Sequence, residues 1–311
     1  MFTPRSKNSV PVLRRLRPAL ICGVILASCR GDPDPETLES RLRTRAASSG
    51  AEVGLVYRVL DGRDSALVNP DLRMHAASTM KVPVMLQLFL DHQAGRLDLD
   101  ESILVTTTFR SILDGSPYEI DPASDSDSTL YARVAEEVSR RDLIDRMITW
   151  SSNLATNLLI READAGRVTA SLRSLGADSM KVLRGVEDLP AFQAGLNNTT
   201  TARDLARVLE ALTDTSLVGT EGRREMLDIL ERQHFRDNIP AGVPNEVRIA
   251  NKTGWITGIN HDGALVFPEK APPYVLVILL RGHPAEDQGT EFAAELSRLV
   301  WEHHMSTWGA P

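Results

Sequence analysis

Strand-like segments lie at both ends of the chain, and a long middle patterned for helices separates them. Residues 51–60 are rich in apolar and β-branched side chains, and the turn signal Asp61-Gly62 leads to a second short strand near 65–69. Near the other end, strands are predicted at 246–252, 263–267 and 274–280. The pattern predicts an α/β (α+β) fold with one antiparallel sheet built from both chain ends, flanked by helices, plus an all-helical lobe.

Apolar residues at helical spacing predict helices at 37–47, 142–160, 202–212 and about 288–303. Two stretches of the middle lack this period. Residues 184–198 contain Gly185, Pro190 and Gly195 and are interpreted as a long ordered loop, which is often a functional element. Residues 106–130 include the run Asp-Pro-Ala-Ser-Asp-Ser-Asp-Ser and are interpreted as solvated loop.

The first thirty residues resemble an export signal. A basic stretch without acids precedes an apolar run at 19–27, which is too short to span a bilayer. Leu26-Ala27-Ser28-Cys29 is similar to a bacterial lipobox, which implies a lipoprotein signal peptide at 1–28, lipidation at Cys29, a tether at 29–36 and a domain at 37–311. An ordinary secretory signal or an uncleaved anchor is the alternative. The expected location is the periplasm, at the membrane.

Charge and cysteine usage restrict the partners. Loss of residues 1–28 would take the net charge from −7 to −12, because that segment carries five basic residues and no acid. Such an acidic protein is a poor binder of nucleic acid, and we expect contact with the membrane only through the lipid anchor. Cys22 lies inside the signal and Cys29 at its end, so the domain has no free thiol for a disulfide or zinc site. A monomer is expected.

Three short motifs carry the candidate chemistry: Ser78-Thr79-Met80-Lys81, Ser151-Ser152-Asn153 in a helical stretch, and Lys252-Thr253-Gly254 at the end of a predicted strand. Each is common by chance when taken singly. However, the chain has five lysines against 30 arginines, and two of those lysines lie in the motifs. A desolvated lysine can lose its proton and an arginine cannot, which favours a functional interpretation of the two motif lysines.

The residue types suit acyl transfer. A serine at a helix N-terminus lies near unsatisfied N–H groups, which favour developing negative charge. Lys81 follows Ser78 by three residues and shares its helix face. An ammonium that is partly buried beside a second cation, such as Lys252, has a lowered pKa and can act as a base.

In this order, the three motifs resemble the set that marks class A β-lactamases and related penicillin-recognising serine enzymes. The resemblance implies that Ser78 is the nucleophile, Lys81 its base and Ser151 the proton donor to the lactam nitrogen, which Lys252 polarises. It also implies substrate binding by Asn153, Thr253, Gly254 and Trp255, with the oxyanion held by the N–H groups of Ser78 and Trp255. The chain departs from the family at Ser152, where the β-lactamases commonly have Asp.

Deacylation needs a carboxylate that activates water, and the resemblance places it in the 184–198 loop. Glu187 follows Ser151 by 36 residues, about where the family has its glutamate. The usual R-x-E-x-x-L-N pattern is not intact, because Arg184 precedes Glu187 by three residues and Leu196-Asn197 come much later. Glu187 is therefore either the deacylating base or a solvated loop acid.

Other chemistries lack support in the sequence. Seven histidines are scattered without metal-ligand spacing, and His75, although close to Ser78, has no G-x-S-x-G elbow nearby. Neither a metal nor a cofactor is expected. Three functions remain open: a β-lactamase with an acyl-serine intermediate, a D,D-peptidase or slow acyl-enzyme penicillin-binding protein acting on cell-wall peptides, and a non-catalytic cell-wall-binding lipoprotein.

Overall fold

A computed structural model describes residues 37–283 and 286–309. The predicted signal, the lipidation site Cys29 and the tether lie outside the described residues. None of the helices in the described ranges combines the length and hydropathy needed to cross a bilayer.

The centre of the fold is a five-stranded antiparallel sheet that joins both ends of the domain, as the sequence predicted. Its strands, in spatial order, are β2 (Ser65–Val68), β1 (Glu52–Val59), β11 (Tyr274–Arg281), β10 (Ile259–Phe267) and β9 (Arg248–Ile256). Strand β1 lies between β2 and β11, so a segment from the start of the domain pairs directly with one from its end.

Both faces of this sheet are buried, which explains the unbroken apolar run Tyr-Val-Leu-Val-Ile-Leu-Leu in β11. Alternate side chains along a strand point to opposite faces. Val275, Val277 and Leu279 join the core that the sheet shares with the helical lobe, whereas Leu276 and Ile278 join a second core on the other face.

The helices divide between those two cores. Helices α1 (Leu38–Ser48) and α9 (Glu286–Trp308) pack together at the outer core, and Thr37 caps the start of α1 with its side chain. The inner core includes residues of α2 (Lys81–Gln93), α3 (Arg140–Thr149), α4 (Asn153–Ala163), α5 (Ala165–Ser174), α7 (Ala202–Ala211) and α8 (Thr215–Glu231). The sixth helix in chain order is the short α6 (Leu189–Gln193).

The helix predicted at 142–160 is in fact two helices, α3 and α4. Ser151 between them has a left-handed φ of 58°, and the Ser152 hydroxyl accepts from the backbone N–H of Ala155 and so caps α4. A serine N-cap satisfies an N–H group that the helix itself leaves free. The second motif therefore lies at a helix junction, and its placement within a helix was wrong.

The stretch 106–130 is not merely solvated loop, as the sequence suggested. It contains a hairpin of strands β5 (Thr108–Arg110) and β6 (Pro117–Glu119), followed by the short helical turn Pro122–Ser124. A second short helical turn, Ser128–Arg133, begins within the stretch. Asp125 and Asp127 within it are buried. The remaining short strands form separate two-stranded sheets: β3 (Met74–His75) pairs with β8 (Thr199–Thr200), and β4 (Ser102–Leu104) pairs with β7 (Glu137–Ser139).

Candidate active site

A cleft of about 680 Å³ brings together residues from all three motifs and from the 184–198 loop. Its lining includes the following sequence-predicted site residues: Ser78, Ser151, Asn153, Glu187, Thr253, Gly254 and Trp255. The two remaining predicted residues, Lys81 and Lys252, lie beneath this surface and are 0% and 1% exposed. Both amines are therefore shielded from solvent, more deeply than the sequence suggested.

Ser78 lies in the 3-10 helix Ala77–Met80, which continues directly into α2. The serine thus lies at the start of a helix, as predicted. Strand β9 passes very close to it, since a Cβ added at Gly254 would lie 3.0 Å from the backbone nitrogens of both Ser78 and Thr79. A glycine at this position allows the third motif to approach the first.

The Lys252-Thr253-Gly254 motif was predicted at the end of a strand. That placement was wrong, because the motif lies in the middle of β9. The strand continues to Ile256 and pairs along its length with β10, which fixes the register of the motif. The Lys252 amine donates to the Ser151 hydroxyl at 3.1 Å and to the carbonyl of Thr253 at 2.9 Å.

The Lys81 amine reaches the same hydroxyl from the other side. It donates to the Ser151 Oγ at 3.1 Å, to the Ser151 carbonyl at 2.7 Å and to Asn153 Oδ1 at 3.0 Å. These contacts join the first motif to the second, whereas the sequence predicted a contact between Lys81 and the Ser78 hydroxyl. A serine hydroxyl has two acceptor positions and one donor. The Ser151 hydroxyl can therefore accept from a charged amine and donate to a neutral one, so it can pass a proton between the cleft and Lys81.

Burial controls the protonation of both lysines. It lowers the pKa of Lys81 to about 7, although the carboxylates of Asp125 and Glu187 act in the opposite direction. Burial and the charge of Lys81 lower the pKa of Lys252 well below its ordinary value, against the pull of Asp262. Two ammonium groups that share one hydroxyl repel each other, so the site favours a neutral amine near neutral pH.

Glu187 is connected to this group of residues through Asn153. The Asn153 amide donates to Glu187 Oε1 at 2.9 Å while its oxygen accepts from Lys81. Glu187 Oε1 also accepts from the Ser124 hydroxyl at 3.0 Å, and Glu187 has a left-handed φ of 61°. The carboxylate is half-buried at the edge of the cleft and is not a freely solvated loop acid.

The loop that carries Glu187 is closed by Arg184 and Asn198. The buried Asn198 side chain accepts from the N–H groups of Leu183 and Arg184 and donates to the Arg184 carbonyl, and the Arg184 guanidinium donates to Asn197 Oδ1 at 2.9 Å. Asn197 therefore binds Arg184 where the loop begins and does not hold Glu187, consistent with the late position of Asn197 in the sequence.

Several residues that support the site were missed in the sequence. Asn157 lies one helical turn after Asn153 and binds both backbone groups of Val186, at 2.6 and 3.0 Å. The i, i+4 spacing of these two asparagines was an available signal. A Cβ at Gly185 would lie 2.3 Å from Asn157 Oδ1, so a larger residue there would displace the Asn157 side chain from Val186.

No comparable spacing in the sequence indicated that Asp188 and Asp125 support the site. The buried Asp188 carboxylate accepts from the Ser111 hydroxyl at 2.7 Å and from the Ile112 N–H at 2.9 Å, which ties the 184–198 loop to the 106–130 segment. Asp125 accepts from the N–H groups of Asn153 and Leu154 at the start of α4.

His75 lines the cleft near Ser78 but acts on the backbone. Its Nδ1 accepts from the Ala77 N–H at 3.0 Å, and burial together with the charge of Arg184 lowers the pKa of His75 to about 4. An imidazole with that pKa stays neutral near pH 7. Within the described ranges, no group of three or more His, Cys, Asp or Glu side chains is arranged to hold a metal ion.

Comparisons with known proteins agree with this geometry. Residues 37–304 match the model of the family described as the beta-lactamase enzyme family. A β-lactamase of Bacillus licheniformis is 28% identical over 251 residues, which cover 78% of this chain and 72% of that protein.

Solved structures show the same fold. A β-lactamase from Sphaerobacter thermophilus is 26% identical with a TM-score of 0.73, covering 85% of this chain and 96% of that one. A variant of PBP-A, solved as an acyl-enzyme complex with penicillin G, is 24% identical with a TM-score of 0.75, covering 88% and 99%. The residues that match the family model, 37–304, cover nearly the whole described domain and include all three motifs. The chain therefore belongs to the beta-lactamase enzyme family, as a β-lactamase-like serine hydrolase.

Proposed function

We propose that this protein hydrolyses the amide bond of β-lactams through an acyl-enzyme intermediate on Ser78. The observation that carries the proposal is the shared Ser151 hydroxyl, which two buried amines contact at 3.1 Å on the floor of a cleft that Ser78 also lines. Family membership gives independent support for β-lactam chemistry.

In the acylation step, neutral Lys81 takes the proton of the Ser78 hydroxyl, with Ser151 as the relay between them. The Ser78 oxygen attacks the lactam carbonyl carbon, and the backbone N–H groups of Ser78 and Trp255 bind the resulting oxyanion. As the ring C–N bond breaks, Ser151 donates its proton to the nitrogen and regains one from the Lys81 ammonium, while Lys252 stabilises the negative charge that develops on the nitrogen. Asn153 and Thr253 hold the substrate amide and carboxylate.

In the deacylation step, Glu187 removes a proton from a water molecule, whose oxygen attacks the ester carbonyl. The ester bond breaks, Ser78 regains its proton, and the product is a ring-opened acid that has gained one water overall. The support for this role is the position of Glu187 in the cleft and its hydrogen bond to Asn153, which also binds Lys81.

Incubation of the purified protein with a chromogenic cephalosporin tests the proposal, with absorbance and intact mass followed together. We expect sustained turnover with a transient adduct that maps to Ser78. The absence of both turnover and adduct would contradict the proposal. It would leave the non-catalytic cell-wall-binding lipoprotein as the better interpretation.

A slow acyl-enzyme penicillin-binding protein or D,D-peptidase is the second candidate. It is favoured by Glu187 itself, whose carboxylate already accepts from Asn153, Ser124 and the N–H of Asp121 and whose backbone is left-handed. A carboxylate with these partners can be structural. A Ser78 adduct that persists for hours without turnover would support this function over the first.

We further propose that the protein is exported to the periplasm and lipidated at Cys29, on the lipobox-like sequence at 26–29. Expression in a bacterial host with radiolabelled palmitate should label the wild-type protein and leave Cys29→Ala unlabelled. Equal labelling of both proteins, or of neither, would contradict lipidation at this residue.

A further inference from the structure

The 106–130 segment places a buried carboxylate directly against the second motif. Asp125 is 9% exposed, and its two oxygens accept from the Asn153 N–H at 2.9 and 3.0 Å and from the Leu154 N–H at 2.8 Å. The Tyr131 hydroxyl donates to the same carboxylate at 3.0 Å. Asp125 therefore binds the N–H groups that the first turn of α4 leaves free, although it lies 28 residues before Asn153.

The residue that Asp125 holds by its backbone is the one whose side chain joins the two proposed bases. The Asn153 oxygen accepts from the Lys81 amine at 3.0 Å, and its amide donates to Glu187 at 2.9 Å. A shift of the α4 N-terminus would therefore move both contacts together. Ser152 reaches Asp125 only at 3.5 Å, and its hydroxyl is already used as the cap of α4.

The segment that carries Asp125 is itself anchored at two further points. Asp127 accepts from the Arg146 guanidinium of α3 at 2.9 Å, and Ser124 donates to Glu187 at 3.0 Å. These contacts hold Asp125 between α3, α4 and the Glu187 loop, so its carboxylate has a fixed position relative to Lys81.

We propose that Asp125 is a positioning residue of the acylation site, fixing the first turn of α4 and thereby the side chain of Asn153 against Lys81. The inference rests on the proposed function, acylation of Ser78. Asp125 also acts through its charge. The charged groups that face the Lys81 amine are Asp125 on this segment, Glu187 on its loop and Lys252 on β9, with Asp262 of β10 acting on Lys252.

The test measures single-turnover acylation by a chromogenic cephalosporin against pH, in the wild type and in Asp125→Asn. We expect acylation at least about tenfold slower, because catalytic contacts tolerate little displacement. We also expect the ascending pH limb to move about one unit lower, since loss of a nearby negative charge disfavours the Lys81 ammonium. A merely structural defect would lower the rate without moving the limb.

Asp127→Asn is the matched control on the same segment. It weakens the contact to Arg146, and among the described residues its carboxylate makes no hydrogen bond to α4. We expect a lower melting temperature and an unmoved pH limb. An equal shift of the limb in Asp127→Asn would overturn the specific role of Asp125.

A relocated carboxylate keeps the inference testable if Asp125→Asn fails to fold. In the double variant Asp125→Ala with Ser152→Asp, the new side chain occupies the N-cap and extends toward the space that Asp125 leaves. We expect this variant to fold and to recover most of the acylation rate and the wild-type limb.

Two results would overturn the positioning role and leave the proposed function intact. One is a folded double variant that acylates as slowly as Asp125→Asn or Asp125→Ala. The other is an Asp125→Asn protein with the wild-type rate and pH limb. A wild-type protein that forms no Ser78 adduct would overturn both.

Discussion

The floor of the cleft consists of side chains that helices and a strand carry, whereas its wall consists of two loop segments that hold each other. The floor comprises Ser78, Lys81, Ser151 and Lys252, from the Ala77–Met80 turn, α2, the α3–α4 junction and β9. The wall comprises residues 106–130 and 184–198, which are joined by the hydrogen bonds of Asp188 to Ser111 and of Glu187 to Ser124. The floor has the groups needed for acylation, and the wall has the one carboxylate proposed for deacylation.

This difference implies that the two steps can be separated by mutation. Changes in the floor should prevent the acyl-enzyme from forming. Changes in the wall should allow it to form and then persist, except at Asp125, which contacts the first turn of α4 and is proposed to support acylation. Variants that violate this division would show that the cleft works as a single unit.

The largest expected effect is that of Ser78→Ala. Without the hydroxyl there is no atom to form the ester, so we expect turnover to fall by at least about 10⁴-fold and all covalent labelling to disappear. Intact mass after incubation with penicillin is the measurement. Residual adduct at another residue would show that the nucleophile lies outside the floor.

Glu187→Gln tests the wall. We expect acylation near the wild-type rate and deacylation slower by about 10²–10⁴-fold, because a positioned general base typically contributes that much. The acyl-enzyme should accumulate in a mass time course. Glu119→Gln, an exposed acid on the same wall, is the control, and unchanged turnover in Glu187→Gln would remove Glu187 from the mechanism.

Gly254→Ala tests how closely the floor must pack. The added methyl group would lie 3.0 Å from the backbone nitrogens of Ser78 and Thr79, so β9 must move away from the nucleophile. We expect acylation to slow by about tenfold and stability to fall by about 1–3 kcal/mol.

Gly54→Ala on β1 is the matched control, because its methyl group meets other atoms at 3.5 Å or more. Gly54→Ala should acylate normally. Equal acylation rates in the two variants would show that β9 and the Ser78 helix need not pack so closely.

Asp188→Ala should have the smallest effect. It leaves the Ser111 hydroxyl and the Ile112 N–H without their acceptor, and a buried donor without a partner costs about 1–3 kcal/mol. We expect a lower melting temperature and a few-fold slower deacylation, with acylation unchanged. The exposed Asp114→Ala on the same segment should change stability by less than about 0.5 kcal/mol. A slower acylation in Asp188→Ala would show that the wall also shapes the floor.

The floor could be predicted from the sequence because its residues belong to short motifs on regular elements. The strand pattern at both chain ends indicated the sheet, and β9 places Lys252 by its register with β10. The break between α3 and α4 was missed because the apolar period continues across it, although Ser152 is a good N-cap residue.

The wall could not be predicted in the same way. Asp125 and Asp127 occur in a run of Ser and Asp that is typical of solvated loops, and composition does not distinguish them from their exposed neighbours. Their burial depends on partners 19 to 29 residues away, in α3 and α4. Contacts of this kind arise from the fold and leave no local period in the sequence.

The central claim is that a neutral Lys81 amine, buried under the cleft, activates Ser78. The most direct measurement is the pre-steady-state acylation rate of the wild-type protein by a chromogenic cephalosporin from pH 4 to pH 9. Burial lowers the pKa of Lys81 to about 7, so the fraction of neutral amine rises through that pH. We expect an ascending limb centred near pH 7. A rate that is independent of pH, or a limb near pH 4 where carboxylic acids ordinarily titrate, would contradict the claim.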